Sequence, residues 1–216
     1  MLLNIFYFLF LNYYDVRGSN DQNKEETMNY LFSLSSPMQS IFWPKDNSLV
    51  KQALLILAGV LVLAIASQLS IPLKPIPLTF QSATVILIGM AYGPRNGSYV
   101  VVAYLLAGLF GIPVFADFSA GLSKLFGPSM GYLFGFLPAA FLSGYLAQKG
   151  WARNVLSSLA AACLGVSVIF ILGVAALAKF IGWESAIELG LMPFIVTEPI
   201  KLVAVSLVIP RLWQKK

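Results

Sequence analysis

The chain has 216 residues, 58% of them hydrophobic and only 11% charged, with a mean hydropathy of +0.81. Soluble domains carry about 25% charged residues, so this composition excludes an ordinary water-soluble globule and marks an integral membrane protein. The formal charge of +5, from 14 Lys+Arg against 9 Asp+Glu, is scattered singly at the ends of apolar stretches, which speaks against nucleic acid as a partner and for topology signals in a lipid bilayer.

Residues 1–48 differ from the rest, with an apolar, aromatic start followed by a polar stretch from Asp15 to Asn29. The opening run is too short to span and lacks the basic start and small-residue cleavage site of a signal peptide. It reads as an N-terminal extension, either an interfacial helix or unstructured. Trp43 and Pro44 look like an interfacial anchor and an entry turn. The membrane domain is expected over 49–213, leaving 214–216 as a tail.

Uncharged windows then run over 52–73, 75–94, 96–116, 125–148 and 154–178. Each is long enough, at about 1.5 Å per residue, for a hydrocarbon core of roughly 30 Å. A sixth segment, 191–211, is apolar except for Glu198 and Lys201. Continuous apolar runs argue for helices over a barrel of alternating strands, so the fold class is an all-α membrane protein with six transmembrane helices. Between the first two windows Pro72, Pro75 and Pro77 forbid a regular helix and favour an extended connection, with span two entered near Leu78. The turn YGPRNGS around Arg95 makes spans two and three an antiparallel hairpin. The three-to-four connection, GLFGIPVFADFSAGLSKLFGPSMGYLFGF, is too apolar for a solvated loop, and its Gly, Pro and aromatics suggest backbone dipping into a protein-lined cavity. Small-xxx-small pairs at Ala103/Ala107, Gly131/Gly135, Ala140/Gly144 and Ala161/Gly165 predict close helix packing.

With both termini cytoplasmic, one side holds Arg17, Lys24, Lys45, Lys51, Arg95, Lys149, Arg153, Arg211, Lys215 and Lys216, whereas the outer loops hold only Lys74 and Lys124. This asymmetry fits the positive-inside rule and predicts a multi-pass protein of the cell membrane. The lone Cys163, in span five, excludes an intramolecular disulfide, and packing is its expected role. The chain has no histidine and no GxxxxGK[ST] phosphate loop, so His-dependent catalysis, HExxH zinc sites and Walker-type ATP hydrolysis are excluded. We expect no catalytic residues, no metal and no cofactor.

An ionisable side chain at a bilayer centre costs roughly 2.5–3.5 kcal/mol on insertion scales and marks function by default. Glu198 and Lys201, three apart on one helix face and flanking Pro199, are therefore the leading site residues. Asp117 and Lys124, in the three-to-four connection, can face the same outward cavity. Phe115, Phe118, Tyr132 and Phe134 are candidates for its apolar wall, Tyr132 and Phe115 foremost. Thr79 and Gln81, at the start of span two, are candidate hydrogen-bonders or caps of that helix end.

The segments PLKPIPLTFQS, GPRNG, AGLFGIPVFADFSAGL, GPSMGYLFGFLPAAFLSG and PFIVTEPIK resemble, in order and spacing, the BioY family, the biotin-specific S components of energy-coupling-factor vitamin transporters. The resemblance covers about residues 50–212. It implies a six-helix S-component-like bundle that captures biotin from outside, energised by a transmembrane coupling subunit and two cytoplasmic ATPases. The family's acid-x-x-Lys falls on Glu198 and Lys201, and its polar loop position on Asp117. A carboxylate and an ammonium suit biotin's ureido head, and Lys124, by charge and position, suits the carboxylate tail. The chain departs from the family in having Glu198 where Asp is usual, Asp117 where Asn or Gly is common, and no AxxxA docking pattern in span one. The alternative reading is a stand-alone proton-coupled carrier of biotin or a related vitamin in which Glu198 titrates. An intramembrane enzyme lacks an acid/base or metal centre.

Overall fold

The computed structural model describes residues 49–213; the expected N-terminal extension, with Trp43 and Pro44, and the tail 214–216 lie outside the described residues. Helix α1 covers Leu49–Gln68 and hands over to two short antiparallel strands, β1 (Ser70–Ile71) and β2 (Leu78–Thr79), paired Ser70 to Thr79 and Ile71 to Leu78. The proline-rich connection is thus non-helical, as its sequence predicts, but it doubles back: its two ends are extended and paired, and its middle bends at 74–76. Helix α2, Gln81–Leu109, is broken at Gly93 (φ 79°, ψ 172°), immediately before Pro94. Only glycine adopts that backbone without strain, and Pro94 cannot continue the preceding ladder. The two halves fold back as a hairpin: a Cβ on Gly97 would lie 3.0 Å from the Gly89 Cα.

The connection over 110–129 contains a 3-10 turn (Ala116–Phe118) and the short helix α3 (Leu122–Leu125). Helix α4 spans Met130–Leu146 and widens into a π turn, Ala147–Trp151. Helix α5, Val155–Ile181, starts under an Asn154 cap whose side-chain oxygen accepts the Ser157 N–H at 2.9 Å. A short helix, α6 (Trp183–Gly190), precedes α7 (Met192–Trp213). Six helical crossings result, with the halves of α2 supplying the second and third.

Several boundaries differ from the hydropathy windows. The second crossing is helical only from Gln81, not from 75 or 78, because three prolines keep the approach out of helix. The third ends at Leu109 rather than near 116, and the fourth begins at Met130 rather than 125, since the Gly127–Pro128 turn precedes it. Residues 110–129 are apolar without being a span. Cys163 is exposed on α5, so it does not pack in the core; a thiol is apolar enough to face lipid.

The bundle is held by backbone approach. A Cβ on Gly144 would sit 2.6 Å from the Gly89 carbonyl oxygen, and one on Gly165 2.5 Å from Ile86 Cδ1. These glycines let α4 and α5 each close on the first half of α2. By contrast α1 turns Leu54, Leu57, Leu61 and Ile65 outward, each more than half exposed, a face suited to lipid rather than water.

Candidate functional site

The end of the bundle carrying the 69–80 and 110–129 connections holds a cavity of about 530 Å3, open mouth included. Its polar floor is built from α2 and α7. Glu198 and Lys201, 5% and 6% exposed, form an ion pair along one face of α7. A buried pair persists only when its remaining donors and acceptors are satisfied, and here they are. Ser82, on the first turn of α2, reaches both carboxylate oxygens of Glu198 at 2.9 and 3.0 Å. Lys201 Nζ donates to the Thr79 carbonyl at 2.8 Å and lies 3.3 Å from Ser82 Oγ. With the bond to Glu198, its three N–H groups are all engaged. Lys201 therefore stands behind Glu198, which itself lines the cavity.

Thr79 and Gln81 line the same cavity and serve the start of α2: Thr79 Oγ1 accepts the Gln81 backbone N–H at 3.2 Å and donates to Gln81 Oε1 at 3.1 Å. The Gln81 amide then donates to the Tyr104 hydroxyl at 2.5 Å, which donates to the Val114 carbonyl at 2.9 Å.

The walls are aromatic. Phe115, 1% exposed, meets Tyr104 edge-on with ring centroids 5.4 Å apart. Tyr132 is fixed by its hydroxyl, which donates to the Gly190 carbonyl at 2.8 Å, and by an edge contact to Phe170 at 5.9 Å. Phe118 and Phe134, the other two candidate walls, are 72% and 43% exposed and point away from the cavity. Lys124, half-buried on α3, lines the cavity and has no hydrogen-bond or ion-pair partner among the described residues.

Asp117 stands apart from the other acid. It is exposed, in the left-handed region (φ 59°, ψ 37°), and accepts a hydrogen bond from Ser70 Oγ at 3.2 Å rather than lining the cavity or pairing with Lys124. Ser82 and Tyr104 were not singled out from the sequence. Ser82 carries a signal only once α7 is known to cross α2, because its partner is 116 residues away; Tyr104 reads locally as one more aromatic in an apolar run.

A six-helix membrane bundle with a satisfied charge pair sunk beneath an aromatic, open-mouthed cavity defines a membrane-embedded solute-binding protein. The BioY family model matches residues 35–216. The chain is 36% identical over 162 residues to a probable biotin transporter BioY of Pyrococcus horikoshii, covering 75% of this chain and 96% of that one. It is 38% identical over 161 residues to the biotin transporter BioY of Thermotoga maritima, covering 73% and 94%. A crystal structure of the S-component for biotin from an ECF-type ABC transporter superposes with a TM-score of 0.71 at 26% identity, covering 79% of this chain and 94% of that one. The chain belongs to the BioY family.

Proposed function

We propose that this chain is the substrate-binding membrane subunit of a biotin uptake system, taking biotin into the cavity over Glu198 from outside the cell and relying on a separate ATPase module for energy. The observation that carries the reading is the Ser82–Glu198–Lys201 cluster beneath aromatic walls. A ureido group has two N–H donors and one strong acceptor. Glu198, neutralised from behind by Lys201, accepts from the N–H side, and the second amide N–H of Gln81 is available to the ureido oxygen. Phe115 and Tyr132 flank the apolar ring and chain. Lys124, on α3, meets the carboxylate tail. Relatives bearing the name biotin transporter support the same substrate, and the S-component for biotin of an ECF-type ABC transporter, whose fold this chain shares, supports ECF-type partners, for which we propose a coupling subunit and two ATPases.

The test is direct binding. Purified full-length chain in detergent or nanodiscs is titrated with biotin by calorimetry, beside Glu198→Ala and Lys201→Ala. Each substitution leaves a buried charge unpaired and weakens binding by about 2 kcal/mol or more. Absence of binding by folded wild type refutes the ligand, and undiminished affinity in both variants reduces the pair to a structural role. Glu198→Asp shows whether the shorter acid usual in the family is accommodated over Ser82.

A further inference from the structure

Phe115 is a cavity wall borne on a loop, and the end of α1 holds that loop in place. The Gln68 amide donates to the Phe115 carbonyl at 3.0 Å and to Ser67 Oγ at 2.8 Å, while its oxygen accepts the Phe118 N–H at 3.0 Å. Ser67, fully buried, donates to the Val114 carbonyl at 2.6 Å. Ser70 Oγ donates to Asp117 at 3.2 Å. Ser67 and Gln68 at the end of α1, with Ser70 on β1, thus bind four of the five residues in the segment 114–118, all but Ala116.

The grip is needed because the segment is unfavourable by itself. Asp117 (φ 59°) and Phe118 (φ 51°) are consecutive non-glycine residues in the left-handed region, which persists only where surroundings over-determine it. On the inner side the Phe115 ring fills the space a Cβ on Gly108 would occupy. The ring is therefore wedged between α2 and a turn whose outer face is tied to α1.

We infer that Gln68 is a positioning residue for the ligand cavity: from α1, without lining the cavity, it clamps the 114–118 turn and so sets the Phe115 wall, with Asp117 serving this clamp rather than the ligand. Occupancy of the cavity and the seating of α1 are then linked, since whatever tightens one tightens the other. The inference deepens the biotin-binding reading and rests on it for the ligand, but the clamp itself is measurable without ligand.

Hydrogen exchange of the full chain in nanodiscs, without biotin, reads the clamp: in Gln68→Leu the amides of 114–119 exchange at least tenfold faster while those of α4 stay as in wild type. Biotin titration reads its consequence. Gln68→Leu weakens binding at least tenfold, yet in a Phe115→Ala background the same change costs less than threefold, because residues acting through one another are non-additive. Unchanged exchange in 114–119, or an equal loss in both backgrounds, overturns the inference. If wild type does not bind biotin, the functional reading fails and the exchange result alone judges the clamp. Should Gln68→Leu exchange rapidly throughout, Gln68→Glu is read in its place. It keeps the acceptor for the Phe118 N–H and loses the donor to the Phe115 carbonyl, so wild-type exchange in that variant also overturns the clamp.

Discussion

The cavity keeps its two cations for different work. Lys201 is consumed by Glu198, Thr79 and Ser82, whereas Lys124 faces the cavity without an ion-pair partner among the described residues. An ammonium already matched to a carboxylate adds little for a second anion, while an uncommitted one gains a charge-assisted bond when a carboxylate arrives. Lys124→Ala is accordingly expected to weaken biotin by about 1.5–3 kcal/mol and to leave the affinity for biotin carboxamide, which has no anionic tail, within about threefold. Parallel titrations of both ligands decide this; equal losses for the two would move Lys124 off the tail. Of the expected site residues, those on regular helices were easiest to place, because the i,i+3 spacing of Glu198 and Lys201 already puts them on one face. Asp117 was harder, since its direction is set by a left-handed turn and a bond to Ser70 that no local pattern announces.

At the scale of elements, glycine and proline were the most readable signals and hydropathy the least discriminating. The prolines at 72, 75 and 77 and the Gly93–Pro94 break match what their backbone chemistry demands. Hydropathy overstates helix length where apolar residues build a loop, as within 110–129, because transfer free energy does not distinguish burial in lipid from burial against protein. The small residues of α1 show the same ambiguity. Of its Ala58, Gly59, Ala64 and Ala66, small enough to permit close helix approach, Gly59 and Ala66 face inward, and a Cβ on Gly59 would lie 2.7 Å from Val100. Of the four only Ala58 is exposed. Close approach is thus spent inside the bundle, as where Gly89 meets Ala140 and an added Cβ would lie 2.5 Å from the Ala140 carbonyl oxygen. Gly89→Val should lower thermal stability in detergent by about 2 kcal/mol or more through overpacking, while Ala58→Val on the outward face changes it by less than about 0.5 kcal/mol. Melting both variants side by side checks the assignment, and a tolerated valine at 89 would mean the helices separate more readily than their packing implies.

For the molecule as a whole, the cavity and the basic excess lie at opposite ends, and that polarity fixes the expected direction of uptake. The cavity end bears Lys74 and Lys124, and the turns at the other end bear Arg95, Lys149 and Arg153, so the positive-inside rule predicts that the cavity faces outward. In a Cys163→Ser background, an impermeant thiol reagent on intact cells should label Lys74→Cys and Lys124→Cys but neither Arg95→Cys nor Arg153→Cys, and the reverse pattern would turn the protein over. Outward capture alone does not concentrate anything. A ligand that binds only one state shifts an equilibrium by no more than its differential affinity, and the chain contains no phosphate-binding loop with which to spend ATP. The clustered acid, held by Ser82 and Lys201, offers a proton-coupled carrier its one buried carboxylate among the described residues. These two sources of energy give opposite outcomes in vesicles. With coupling subunit and ATPases present, biotin should accumulate well above its outside concentration on ATP addition, persist in the presence of a protonophore, and fall to equilibration when the module is omitted. Accumulation by this chain alone, driven by an imposed proton gradient and abolished by Glu198→Gln, would assign the energy to the carboxylate instead.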